Sequence, residues 1–395
     1  MNKLFIFAGE PSGDQLGAGL IAALKSQQPA ISLVGVGGPA MRLAGLDAVM
    51  KMEEFAIIGF FEVIKALPKL WKQFYRVRDL IMHHQPDAVI LIDYPGLNLR
   101  LAKALRKQGY RGKIIQYVSP TVWAWAEGRK NIMAETLDLL MVIFPFEVDC
   151  FHDLALPVEY VGNPAVERIA SYTYQNNWRE ELDIPPAEKL IAIFPGSRLG
   201  EVDNNFTRQI EAARRVKLRH PDTCFVVSCA NDAVRSLLLE IINNSTFTAG
   251  EDLFIVPQQY RYELMRDSHT ALATSGTVTL ELALHERPTV VMYEVSKINK
   301  FIGKHLLRIN LPYFCIVNIL MGHEVFPELI ENSLSIPDIV DSLSEMIENT
   351  KCRDRCIDDC KKMRILLGNH DSSDHAAQLI LERIPYASPK EMVKT

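Results

Sequence analysis

Short runs of apolar, largely β-branched residues recur along the chain. Each leads into a glycine- or proline-bearing turn, followed by a segment with apolar positions three and four residues apart. This alternation of periods predicts strands and helices in turn. Strands are expected at Leu4–Ala8, in a run ending at Val36, and at Asp87–Asp93, Lys113–Val118, Leu139–Phe144 and Val158–Val161. A polar stretch, Ser171–Asn177, and the pair Pro185-Pro186 then read as a linker. The alternation restarts with strands at Leu190–Phe194, Thr223–Ser228 and Leu253–Val256, one closing at Ala273-Thr274, and one over Pro288–Tyr293. Helices are expected to open near Gln15 and to span about Asn205–His220. Two successive runs of this kind imply two doubly wound, Rossmann-like α/β domains with a cleft between their carboxyl edges. The expected division is 1–170, 171–365, a helix within 366–385 crossing back to the first domain, and a tail over 386–395.

In such sheets the turns that follow strands carry the chemistry. Gly9-Glu10-Pro11-Ser12-Gly13-Asp14 follows the first strand and offers Glu10, Ser12 and Asp14 to that edge, without the spacing of a dinucleotide fingerprint. Asp93 closes a buried strand just before Tyr94-Pro95-Gly96, a position suited to a general base as well as to a turn carboxylate. Trp123 and Trp125 follow another strand, where they would line a substrate site or close the core. In the second half, Gly196-Ser197-Arg198 puts a permanently charged fork after a strand, where it could clamp a diphosphate. Ser275-Gly276-Thr277 opens a short helix whose free N–H groups favour a phosphate. One turn further in, Glu281 could accept from two ribose hydroxyls. The plainer alternative is that Ser275 and Thr277 only cap the helix and Glu281 is a surface acid. Asn299–Leu307 and Asn318 are expected near the same edge.

Phe55–Arg78 has a different character. On a helix, Lys65, Lys69, Lys72 and Arg76 fall within roughly 60° of one another. Phe60, Val63, Ile64, Leu67, Leu70, Trp71, Phe74 and Tyr75 cover the opposite side, and Pro68 should kink or divide the helix. A core-packed helix with a solvated basic stripe would look like this, and so would a patch that meets acyl chains and anionic headgroups.

Composition narrows the choice. With 395 residues, 48% hydrophobic and 23% charged, the chain can fill two cores. A net charge of -5 gives no case for nucleic-acid binding. No run is long enough to cross a bilayer, and a first strand at Leu4 leads to the expectation of no signal peptide and a cytoplasmic location. The seven scattered cysteines fit reduced thiols. Cys352, Cys356 and Cys360 share one side of a helix but lack paired metal-ligand spacing, and His370, Asp371, Asp374 and His375 fit the cap of a C-terminal helix better than a metal site. With no D-x-D pair beside these turns, neither a metal nor a cofactor is expected.

Taken together, Gly9–Asp14, Tyr117-Val118-Ser119-Pro120-Thr121-Val122-Trp123-Ala124-Trp125, Phe194–Arg198 with Glu201-Val202, and Ser275-Gly276-Thr277 with Glu281 resemble the lipid-A-disaccharide synthase family. The match keeps the same order from residue 1 to about 380. The resemblance implies an inverting GT-B glycosyltransferase. It would join UDP-2,3-diacylglucosamine to 2,3-diacylglucosamine 1-phosphate through a β-1,6 bond, releasing UDP, at the cytoplasmic face of the inner membrane. That context favours the interfacial reading of Phe55–Arg78, and a homodimer is among the assemblies allowed. Asp93 would take the proton of the acceptor's 6-hydroxyl, while Arg198 and the Ser275–Thr277 helix end would stabilise the leaving diphosphate. Two positions depart from the family pattern. Asn163 stands where histidine is common, and Gly96 replaces the second acid of Asp-x-Pro-Asp, which leaves Asp93 as the candidate. The rival readings are another UDP-sugar enzyme, such as an N-acetylglucosamine transferase or 2-epimerase, and a non-catalytic solute-binding protein.

Overall fold

The structure, a computed structural model, describes residues 2–55, 60–122, 128–245, 247–294, 312–330, 334–369 and 371–384, with residues 60–67 and 95 described by backbone alone. Two compact units emerge: Met1–Glu167 with Asn369–Thr395, and Arg168–Gly368.

The first unit contains β1 (Lys3–Ala8), α1 (Pro11–Gln27), β2 (Ser32–Gly37), α2 (Pro39–Leu43), β3 (Asp47–Lys51), α3 (Phe60–His84), β4 (Ala88–Ile92), α4 (Pro95–Lys107), β5 (Lys113–Tyr117), β6 (Leu139–Val142) and β7 (Val158–Tyr160). Its sheet runs β3-β2-β1-β4-β5-β6-β7, and every pairing is parallel. A parallel sheet is covered on both faces, so its strands read as continuous apolar runs. Successive side chains still point to opposite faces. Leu4, Ile6 and Ala8 of β1 join Ile90 and Ile92 in one core, while Phe5 and Phe7 join Val89 and Leu91 in the other.

The second unit contains β8 (Lys189–Phe194), α5 (Leu199–Arg219), β9 (Thr223–Cys229), β10 (Leu253–Pro257), β11 (Thr270–Thr274), α6 (Thr277–Leu284), β12 (Thr289–Tyr293), α7 (Ile316–Met321), β13 (Glu328–Ile330) and α8 (Thr350–Leu367). Its sheet, β10-β9-β8-β11-β12-β13, is also parallel throughout. The last helix, α9 (Ser372–Arg383), belongs to the first unit, where Ala376, Ala377 and Ile380 enter the core with Leu20 and Leu24 of α1. The carboxylate of Asp371 accepts from the Asp374 N–H and caps α9.

Several local expectations need correction. Helix α1 opens at Pro11, not near Gln15. Proline suits the first helical position because its missing N–H would have had no partner there. Helix α5 opens at Leu199, six residues before Asn205, where the Glu201 carboxylate reaches back to accept the Arg198 N–H. Helix α3 is a single element across Pro68, which neither ends nor divides it. The edge strands β3 and β13 had no apolar run to announce them, since β3 is bounded by Asp47 and Lys51 and β13 has three residues. Tyr172 and Gln175, read as linker, are tied into the second unit by the buried carboxylate of Glu263, which accepts from the Tyr172 hydroxyl at 3.1 Å and the Gln175 N–H at 2.9 Å. Among the described residues no helix is long and apolar enough to cross a membrane.

Candidate active site

In a doubly wound sheet the strand order reverses at one point, and loops there diverge to leave room for a ligand. In the first unit that point lies between β1 and β4. The turn after β1 and the turn after β4 meet there, and Ser12 Oγ donates to Asp93 Oδ2 at 3.0 Å. Asp93 and Tyr94 both adopt left-handed backbone, with φ of 48° and 49°. Side chains that carry a Cβ avoid this region unless their surroundings enforce it, and such strain gathers at functional sites. Gly9 is required by the same turn, because a Cβ there would lie 2.7 Å from the Tyr94 ring. Burial raises the Tyr94 phenol above its ordinary range, with the charge of Glu10 adding to the effect.

The other acids of the first turn do different work. Glu10 is the exposed N-cap residue of α1. Asp14 is buried, and its carboxylate accepts the N–H groups of Gly38, Ala40 and Met41 at 2.8 to 3.0 Å. It anchors the start of α2. Asn163, also buried, donates to Ile143 O at 3.1 Å and accepts from the Ala165 N–H at 2.9 Å.

In the second unit the reversal lies between β8 and β11. The turn after β8 carries Gly196, Ser197 and Arg198, and the turn after β11 carries Ser275, Gly276 and Thr277. Thr274 ties the two together, its hydroxyl donating to Pro195 O at 3.0 Å. Gly196 has φ of 116°, and a Cβ there would meet Glu201 at 3.0 Å, so glycine is needed for the loop to turn. The Glu201 carboxylate accepts from the N–H groups of Ser197 and Arg198 at 3.3 and 3.4 Å and from the Arg198 guanidinium at 2.8 Å. A carboxylate thus sits on the donors that an anionic ligand would use. At α6 the N–H groups of Gly276, Thr277 and Val278 have no protein acceptor among the described residues, as the start of a helix dictates.

Glu281, on the same helix, is buried at 6% exposure rather than a solvated acid. Its Oε1 accepts from Tyr262 Oη at 2.9 Å, Arg261 Nη2 at 3.1 Å and Arg168 Nη2 at 3.3 Å. Among the described residues Oε2 has no protein partner and remains open to a hydroxyl. Desolvation works against the Arg261 charge, but Glu281 and Tyr262 outweigh it and raise its pKa. Behind Glu281, His285 donates from Nδ1 to the Glu281 carbonyl at 2.7 Å, which makes Nε2 the acceptor for Tyr174 Oη at 3.0 Å. Arg168, Arg261 and Tyr262 were not singled out from the sequence. Their partners lie up to 113 positions away, so no local pattern could announce the cluster.

Asn318 is buried in the second unit. Its amide donates to Phe326 O at 2.8 Å and Glu328 Oε1 at 2.7 Å, and its carbonyl accepts from the N–H groups of Val325 and Phe326. With all four bonds used inside the protein, Asn318 braces the segment between α7 and β13. On α3 the apolar stripe splits. Phe74 is buried and Leu70 packs against the core, whereas Trp71 and Tyr75 remain 42% and 46% exposed. Arg100 lies 5.7 Å from the Trp71 ring centroid and Arg78 lies 4.7 Å from that of Tyr75. Lys69 and Lys72 are exposed, and Arg76 pairs with Glu54 at 3.3 Å. The side chains of Phe60, Val63, Ile64, Lys65 and Leu67, together with Trp123, Trp125 and 299–307, lie outside the described residues. Cys356 and Cys360 are buried on α8, with Cys352 half-buried beside them.

The chain as a whole is similar to known proteins. A profile described as lipid-A-disaccharide synthetase matches residues 4–382. A lipid-A-disaccharide synthase of Geobacter sulfurreducens is 32% identical over 383 residues, 97% of this chain and 97% of that one. One from Chlamydia trachomatis is 37% identical over 374 residues, 94% of this chain. The match spans only 61% of that longer chlamydial protein. Among solved structures, a putative UDP-N-acetylglucosamine 2-epimerase from Listeria monocytogenes is similar with a TM-score of 0.63 over 96% of this chain and 94% of that one. At 14% identity this likeness establishes the fold, the paired Rossmann-like architecture of GT-B proteins.

Proposed function

The chain belongs to the lipid-A-disaccharide synthase family, and from that premise we propose that it is an inverting glycosyltransferase with that activity. The second unit holds UDP-2,3-diacylglucosamine, and the first holds 2,3-diacylglucosamine 1-phosphate. The observation that carries this reading is Asp93, aimed by Ser12 at the switch point of a sheet whose neighbouring acid, Asp14, is already committed to scaffolding. Asp93 accepts the proton of the acceptor's 6-hydroxyl as its oxygen attacks the anomeric carbon opposite UDP. The departing diphosphate is met by the free N–H groups of α6 and by Arg198, which leaves Glu201 to do so. Concentrated positive charge of this kind lowers the barrier where negative charge grows. The open Oε2 of Glu281 takes the ribose hydroxyls.

Exposed Trp71 and Tyr75, with Lys69 and Lys72 on the same helix, support a peripheral seat on the anionic cytoplasmic surface of the inner membrane. The test supplies both diacylglucosamine substrates in mixed micelles and looks for UDP and a tetra-acyl disaccharide 1-phosphate by mass spectrometry. Asp93→Asn should slow turnover by about 10² to 10⁴. Conversion of UDP-N-acetylglucosamine alone, with no disaccharide formed, would replace the proposal with an epimerase.

A further inference from the structure

We infer that Asn98 and Gln116 are positioning residues for Asp93, an inference that rests on reading Asp93 as the base. Both side chains are fully buried in the first unit, Asn98 in the first turn of α4 and Gln116 on β5 next to β4. Asn98 Nδ2 donates to the main-chain carbonyl of Asp93. Gln116 Nε2 donates to the same carbonyl at 3.2 Å and to Val118 O at 3.0 Å. On the other side of the residue, the Asp93 N–H donates to Tyr117 O at 2.9 Å. The peptide groups flanking the Asp93 Cα are therefore gripped from β5 and from α4, while Ser12 holds the carboxylate.

What this grip holds is unfavourable backbone. Asp93, Tyr94 and Val118 have φ of 48°, 49° and 72°, on two adjacent strand ends. Such conformations persist only where the surroundings over-determine them. The two amides also carry a penalty of their own, since Asn98 Oδ1 and Gln116 Oε1 are buried without a hydrogen-bond partner among the described residues. A buried acceptor left unmade is expensive, and a core built for stability alone would carry an apolar side chain of similar size at each place. Two half-satisfied amides converging on one carbonyl make sense if their task is to aim the carboxylate that follows from it.

The test compares Gln116→Met, which keeps length and removes the donor together with its orphan oxygen, with Asn98→Ala. In each variant kcat should fall about ten- to a hundredfold, as small misplacements of a reacting group do, with KM for both substrates nearly unchanged. The melting temperature of Gln116→Met should fall by no more than a few degrees, because the loss of the donor to Asp93 O and Val118 O is partly offset by removal of a buried unpaired acceptor. In an Asp93→Asn background, Gln116→Met should change turnover by less than about twofold, since residues acting through one group are not additive. Full turnover in Gln116→Met and Asn98→Ala, beside an impaired Asp93→Asn, would overturn the positioning role alone. So would equal losses from Gln116→Met in both backgrounds. Full turnover in Asp93→Asn would instead overturn the base assignment, and the positioning role with it.

Discussion

Acidification should loosen the second unit through His285. Burial is the main reason its pKa falls from 6.5 to about 4, with the charges of Arg287, Arg364 and Arg261 adding to the effect and the bond to the Glu281 carbonyl opposing it. The folded state therefore keeps His285 neutral at pH values where the unfolded chain is protonated. A depressed histidine pKa contributes stability that is complete above about pH 6.5 and is lost as the pH falls toward 4. Linkage puts the whole loss at about 3 kcal/mol, of which about 2 kcal/mol falls between pH 7 and pH 5. Protonation would also take away the acceptor that Nε2 offers to Tyr174, on the helix that carries Glu281. Urea unfolding at several pH values would measure the slope, with Trp71, Trp123 and Trp125 replaced by phenylalanine so that buried Trp178 reports on the second unit. A His285→Gln chain should show a shallower dependence over this window, and the parent's His285 C2–H resonance should titrate near pH 4. Parallel slopes in the two chains, or a resonance titrating near 6.5, would refute the reasoning.

Two further outcomes follow from the turns. Asp14→Ala removes the acceptor for three N–H groups at the start of α2, and should cost about 2–3 kcal/mol in chemical denaturation of the first unit; unchanged stability would mean that water replaces the carboxylate without loss. Gly196→Ala places a Cβ 3.0 Å from Glu201 at φ of 116°. It should destabilise the second unit by about 1–3 kcal/mol and weaken UDP in calorimetric titration, whereas parental affinity would show that the loop does not touch the diphosphate.

Much of the architecture was legible in the chain because parallel strands bury both faces and leave uninterrupted apolar runs such as Ala88–Ile92. The turns at Gly196 and Ser275 could be found for the same reason, since each follows such a run directly. Helix starts were harder to see. Pro11 and Leu199 each begin a helix inside what looked like loop, because proline and glycine in the first turn (Pro11, Gly13, Gly200) read as turn residues in the sequence. Asp14 was expected at the ligand edge from its place in a turn and Asn318 from its place near the same edge, yet their polar groups also bond to partners that only the tertiary fold brings near. The surroundings of Glu281 were invisible for a related reason. Arg168, Arg261 and Tyr262 come from separate elements, and no periodicity links them. The α3 stripe shows the limit of helical projection, which put Phe74 and Tyr75 on one face although packing buries the former and exposes the latter.

The return of α9 to the first unit bears on how the protein emerges from the ribosome. The segment that makes up the second unit, Arg168–Gly368, is continuous and can collapse as soon as it leaves the exit tunnel. The first unit, although synthesised earlier, lacks Ala376, Ala377 and Ile380 from its interior until the whole of the second unit has been made. At about 5–20 residues per second, that is a wait of roughly ten to forty seconds with apolar sheet surface uncovered. The amino-terminal segment thus waits for a distant stretch of chain before its own core can close, whereas the later, continuous segment does not.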